Sequence, residues 1–165
     1  MDEPTPPVSG KEMQTVTSAD GTEIAFERTG SGPPLVLVYG TGDVHEFWEE
    51  GSVRPVLAEH YTVYAIERRG RGESGDAATY QLEREAEDVA AVLDMIDGPV
   101  TLLGHSAGAL YSLEAALRTD NLRSLILYEP PIRVGDIGAG VTEIRRLLDD
   151  GEKEQALVLF LREVA

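Results

Sequence analysis

The sequence predicts an α/β fold: an N-terminal antiparallel hairpin, then a mostly parallel sheet with helices on both faces. Three observations carry that prediction. Two segments that alternate apolar and polar residues flank an Asp-Gly turn in "MQTVTSADGTEIAFERTG", residues 13–30, as a hairpin requires. Farther on, short strands such as "LVLVYG" and "VTLLG" are apolar on both faces, as strands buried between two layers are. Helical stretches separate these strands, and that rhythm makes a parallel sheet joined by right-handed crossovers.

In chain order, the first dozen residues hold three prolines and no periodicity, which predicts a flexible leader over 1–12. The hairpin follows and ends at the breaker "GSGPP". Next come strand 35–40, a helical segment "FWEEGSVRPVLAEH" over 47–60, and strand "YTVYAIE" over 61–67. In the helix "LEREAEDVAAVLDMI", Leu82, Ala86, Val89, Leu93 and Ile96 recur at spacings of three and four, one apolar stripe facing a sheet. "VTLLG", the helix "ALYSLEAALR" with Leu110, Leu113 and Leu117 on one face, and the strand "LRSLILYE" complete a core predicted over 13–131. Past Pro131 a Gly-rich loop, "VGDIGAG", leads to two amphipathic helices, "VTEIRRLLDD" and "KEQALVLFLREV", which make 132–165 a separate helical segment.

Composition narrows the function. The 165 residues suit one ordinary domain with a substantial core. No segment has the roughly 20 apolar residues of a membrane-spanning helix, and "MDEPTPPVSGKE" lacks the basic flank and apolar centre of a secretory signal. The expected location is the cytoplasm. Cysteine is absent, which rules out disulfides, thiolate catalysis and cysteine-bound metals. Acidic residues outnumber basic ones 30 to 14, and the net charge of −16 repels nucleic acid and anionic membranes. Because the acids are spread along the chain, the charge reads as an adaptation to the salt-rich cytoplasm of a halophile. No metal and no cofactor are expected.

The chemistry centres on "GHSAG", Gly104 to Gly108, which follows a strand ending at Leu103 and precedes a helix. This is the setting of a nucleophile elbow, a sharp turn that lifts a serine hydroxyl to the top of the sheet. Glycines on either side let strand and helix approach closely, and Ser106 is the candidate nucleophile. Attack on a carbonyl needs N–H donors for the developing oxyanion, one from the residue after the nucleophile and one from the loop "VYGTGDVHEFW". Ala107 and Thr41 are the candidate donors. "ERRGRGESGD", Glu67 to Asp76, forms a charged loop at the same sheet edge, with Arg69 and Ser74 as bracing hydrogen bonders.

An oxyanion loop after the third strand, "RGRGES" after the fourth, the serine turn after the fifth and "LYEPP" after the sixth resemble the α/β-hydrolase family over residues 13–131. The similarity is greatest to its esterase, lactonase and C–C hydrolase branch. It implies a serine hydrolase acting on an ester or similar carbonyl substrate, with the two C-terminal helices as the start of a cap. Two positions differ from the family's pattern: Tyr39 stands where it has His, and Glu67 where it has Asp. The family's chain order of Ser, acid and late His implies two further strands with the general base, lost by truncation or supplied in trans.

Three histidines are present. His60 ends a helix at the wrong edge of the sheet, and His105, the serine's neighbour, is expected to pack. His45, in the oxyanion loop, is a candidate loop brace, substrate contact or base, and Glu129, after the sixth strand, is the candidate acid. An open sheet edge predicts a homodimer or a second chain covering it, beside a small-molecule substrate. An alternative reading is a catalytically inactive hydrolase-fold remnant that binds a ligand or a partner. A nucleotide-binding domain is disfavoured, because no G-x-G-x-x-G opens the first parallel β-α turn.

Overall fold

The computed structural model describes residues 12–42, 44–132 and 138–164. The leader, apart from Glu12, and most of "VGDIGAG" lie outside the described residues. The chain divides into two compact units, Met1–Pro131 and Ile132–Ala165.

In the first unit, β1 (Glu12–Thr17) and β2 (Glu23–Gly30) pair antiparallel with Val16 opposite Ile24. The turn between them rests on Gly21 at a φ of +88° and on Asp20, whose Oδ1 accepts the Thr22 N–H at 3.0 Å. After them come β3 (Pro34–Val38), β4 (Thr62–Ile66), β5 (Val100–His105) and β6 (Leu122–Tyr128). The six strands lie in the order β1-β2-β4-β3-β5-β6. The β2–β4 pair is antiparallel, whereas β4, β3, β5 and β6 run parallel.

Strand periodicity sorts the core onto two faces. Val36 and Val38 join Ile24, Phe26, Ile66, Val89, Leu93 and Leu102 on one side, and Leu35, Leu37 and Tyr39 join Trp48, Val63 and Ala65 on the other. Each such aliphatic side chain, fully buried, contributes about 1.5–3 kcal/mol, so the central strand β3 gains from both faces. A 3₁₀ segment (His45–Ser52) and α1 (Val53–Ala58) connect β3 to β4, and α2 (Leu82–Asp94) connects β4 to β5. From β5 the chain enters α3 (Ala107–Ala115), which packs on α2.

Two local expectations are corrected. The single helix predicted over 47–60 is a 3₁₀ segment followed by a six-residue α-helix. Pro55 has no N–H to offer Gly51, so one unbroken α-helical ladder cannot form there. In α3 the leucine face is the exposed one: Leu113 and Leu117 face solvent, and the helix buries Gly108, Ala109, Ser112 and Ala115. The reason is steric. A Cβ on Gly104 would lie 2.5 Å from the Gly108 carbonyl oxygen and 2.6 Å from the Ala109 Cα, so helix and strand meet through their smallest residues.

Buried ion pairs tie the loop after β4 to the rest of the sheet. Arg69 donates to both Asp88 carboxylate oxygens at 2.7 Å and to Asp20 Oδ2 at 2.9 Å. The guanidinium beside Asp20 holds its carboxyl well below the usual carboxylate range. Burial pushes the Asp88 carboxyl up, although Arg69 opposes the shift. Ser74 Oγ donates to the Glu67 carbonyl at 2.6 Å and accepts the Ala25 N–H at 2.8 Å, which pins the same loop to β2.

The second unit consists of α4 (Gly138–Asp149) and α5 (Lys153–Val164). Gly151, at a φ of +80°, ends α4, and Leu147 and Ala156 are buried within the pair. Arg146 bridges Glu143 and Asp150 on the solvent side, where ion pairs contribute little. No described helix is long and apolar enough to cross a membrane.

Candidate active site

The strand order sets where a site forms. From β3 the chain turns to β4 on one side, then returns past β3 to β5 on the other, so the loops leaving β3 and β5 diverge. In open parallel sheets the crevice at such a switch point, at the carboxyl ends of the strands, is where ligands bind. Gly40 and Thr41 follow β3, and Ser106 follows β5.

Ser106 has φ 52° and ψ −125°, a backbone conformation that costs an L-residue of order 1–3 kcal/mol. Its surroundings hold it there. The Ser106 N–H donates to the Tyr128 carbonyl at 2.9 Å, and the Ser106 carbonyl accepts the Ala109 N–H at 2.9 Å, which starts α3. Gly108 lies against β3, where a Cβ would be 2.4 Å from the Val38 carbonyl oxygen and 2.5 Å from that of Tyr39. A Cβ on Gly40 would lie 2.9 Å from Ser106 Cβ and 3.3 Å from its Oγ. The serine side chain therefore sits against Gly40. Ala107 is the first residue of α3, so its N–H belongs to the unpaired group at the helix start.

Among the described residues, Glu129 is the second non-glycine residue with a positive φ, at 48°, and it directly follows β6, the strand next to β5. Its side chain is exposed. His105 is held away by stacking: its ring lies parallel to Phe47 at 4.9 Å, with Trp48 edge-on and Tyr128 tilted against it.

His45 lies among carboxylates. Its Nδ1 contacts Glu67 Oε1, with Glu46 at 3.2 Å, and its Nε2 faces Glu27 Oε2 at 3.1 Å. Neither ring nitrogen is turned to Ser106, and among the described residues no hydrogen bond joins the two. Arg54 pairs with Glu27 at 2.5 Å and also meets Glu49, so the cluster holds cations and carboxylates together. His45, Glu46 and Glu67 offer ligand atoms within 4.8 Å of one another, but the ring nitrogens and Arg54 already occupy the buried carboxylates. These contacts make His45 a brace between the 3₁₀ segment, β2 and the loop after β4.

The two departures from the family pattern touch each other. Tyr39 Oη donates to Glu67 Oε2 at 3.3 Å and accepts the Arg68 N–H at 3.0 Å, and burial pushes the phenol well up. Gly72 leaves room for the longer acid: a Cβ there would lie 2.4 Å from Glu67 Oε2. Sequence reasoning missed Arg68, Glu85 and Tyr111, which form a buried network behind the Gly40 loop. The signal was an acid on the buried face of α2, Glu85 beside Ala86 and Val89, with two consecutive arginines upstream.

A six-stranded mixed sheet opened by an antiparallel hairpin, with a strained serine turn at its switch point, is the architecture of the α/β hydrolases. The chain belongs to the alpha/beta hydrolase family, whose sequence model matches residues 35–164. A solved α/β hydrolase of Sphaerobacter thermophilus is 41% identical with a TM-score of 0.81, over 92% of this chain and 60% of its own. The esterase EaEST of Exiguobacterium antarcticum is 28% identical with a TM-score of 0.73, over 87% of this chain and 57% of its own. EphD of Mycobacterium tuberculosis, a curated protein named "Probable oxidoreductase", is 32% identical over 111 residues, 63% of this chain and 18% of its own. The chain thus spans less than a fifth of that relative's length.

Proposed function

We propose that this chain carries the nucleophile half of a serine hydrolase acting on an ester or a similar carbonyl compound. Ser106 Oγ attacks the carbonyl carbon, the π electrons move to oxygen, and the Ala107 and Thr41 N–H groups hold the oxyanion. The observation that carries this reading is the strained turn at Ser106, enclosed by Gly40, Gly104 and Gly108. Membership of the family and the similarity to an esterase support it. Glu129, one strand over, is read as the acid that orients a histidine base supplied in trans, which takes the Ser106 proton on attack and returns it to the leaving alcohol. The helices α4 and α5 are read as the start of a cap, which sets substrate choice in this fold.

Because the turn and the oxyanion donors retain part of the serine's reactivity without the base, a fluorophosphonate probe is expected to label the wild-type chain at Ser106, and Ser106→Ala to abolish labelling without changing the thermal melt. A folded wild type that takes up no label overturns the reading. The inactive-remnant alternative draws on one observation: no described histidine faces Ser106. Hydrolysis of a short p-nitrophenyl ester that disappears in Ser106→Ala rejects that alternative.

An assembly and a salt-rich setting belong to the same reading. β6 is an edge strand with Ile126 and Tyr128 exposed, and a second copy or a second chain is the proposed cover. With a net charge of −16, self-repulsion is relieved by salt, as in a halophile's cytoplasm. Light scattering and thermal melts in low and in molar KCl are expected to show more than a monomeric mass and a melting temperature that rises with salt. A monomer at every salt concentration, or a salt-independent melt, removes the corresponding part of the proposal.

A further inference from the structure

We infer that Arg68 is the positioning residue of the oxyanion loop: its guanidinium holds the Gly40 carbonyl and thereby sets the direction of the Thr41 N–H. The inference rests on the reading of Thr41 as an oxyanion donor. Arg68 is buried in the loop after β4 and reaches three other elements. Its Nε and Nη2 grip both Glu85 carboxylate oxygens on α2, at 3.0 and 2.5 Å. Nη2 also donates to Tyr111 Oη on α3 at 3.1 Å, and the guanidinium carbon sits 4.6 Å from the centre of that ring. Nη1 is left for the loop after β3 and donates to the Gly40 carbonyl at 2.6 Å. Glu85 and Tyr111 thus aim the arginine, and its remaining nitrogen meets one backbone oxygen.

The link to the serine is peptide geometry. The Gly40 carbonyl and the Thr41 N–H belong to one planar unit, no described peptide bond is cis, and in a trans peptide the two groups point in opposite directions. Holding the oxygen on Arg68 turns the N–H to the side away from the guanidinium. Among the described residues, Gly40 has no side chain to hold that plane, and Gly42, one residue past Thr41, has a φ of +84° and open space around it. The glycine on one side of this peptide makes its rotation easier, whereas a charge-assisted hydrogen bond in a buried site opposes it. Arg68 touches no reacting atom and acts only through the Gly40–Thr41 peptide.

Arg68→Met alone strands the buried Glu85 carboxylate and endangers the fold. The test therefore uses Arg68→Met combined with Glu85→Met, which replaces the ion pair by two apolar side chains of similar length. Two readouts are taken. In a crystal structure of the double variant, the Gly40 carbonyl is expected to leave its wild-type direction. In fluorophosphonate labelling, the rate of bond formation is expected to fall about tenfold to a hundredfold, the range a hydrogen bond from a charged donor spans, with the probe's initial affinity unchanged. A Gly40–Thr41 peptide with the wild-type orientation in the double variant overturns the inference, as does an unchanged bond-forming rate. An unlabelled wild type instead removes the serine-hydrolase reading, and the peptide orientation then decides this inference by itself.

Discussion

Arg69→Met is expected to destabilise the chain by about 3–5 kcal/mol, the cost of leaving a buried carboxylate without its cation. The arginine makes two 2.7 Å hydrogen bonds to Asp88, which is 2% exposed, and a third to Asp20 in the hairpin turn. Methionine fills much of the volume but offers Asp88 no donor. The pH dependence gives the loss a signature. Burial already raises the Asp88 carboxyl above its ordinary 3.8, and without Arg69 only the neutral form is tolerated inside. A raised carboxyl penalises the fold above its folded pKa and not below its unfolded one. The variant's deficit is therefore greatest at neutral pH and shrinks on acidification. Asp20 has the opposite sign in the wild type: its lowered carboxyl stabilises the fold fully above 3.8, and that contribution declines as pH falls from there through its lower folded value. Urea unfolding of both proteins at neutral and acidic pH measures the difference. A deficit that grows on acidification contradicts this account.

Gly108→Ala is the second large effect. Alanine is the better helix former by about 1 kcal/mol, so propensity alone predicts a gain. The contact wins. The new methyl would sit 2.4 and 2.5 Å from two backbone carbonyl oxygens of the loop end of β3, which have no rotamer through which to withdraw. Either α3 or the central strand must move, and a loss of about 3 kcal/mol is expected, at the upper end of overpacking costs. Because the displacement opens the gap between α3 and the Gly40 loop, Ser106 labelling is expected to fall with it. A variant as stable as the wild type, by urea midpoint, shows that the helix can shift at no cost.

Much of this architecture is legible in the residues. Asp20-Gly21 marks the hairpin, the unbroken apolar runs mark the parallel strands, and the serine turn stands between "VTLL" and a helix, where the structure has it. What escapes notice depends on partners distant in the chain. Glu27 occupies a position that alternation assigns to solvent, yet it is 1% exposed because Arg54 and His45 come over β2 to meet it. Arg68 looks like a surface charge until Glu85 is seen on the buried side of α2, and the bracing expected of Arg69 is legible without its partner Asp88 on the same helix. The leucines of α3 mislead for a different reason. Hydrophobicity points to Leu110, Leu113 and Leu117, but the backbone of β5 and β3 admits only the small face of that helix.

The glycines around Ser106 also govern how such a chain can vary over generations. At Gly40, Gly104 and Gly108 a single added methyl meets the serine or a backbone atom, so drift at these positions is filtered by folding before any test of activity. Thr41 and Glu129 are exposed, and their side chains are free of that filter. A lineage built on this scaffold can explore new substrates through its loops while the turn beneath them stays unchanged.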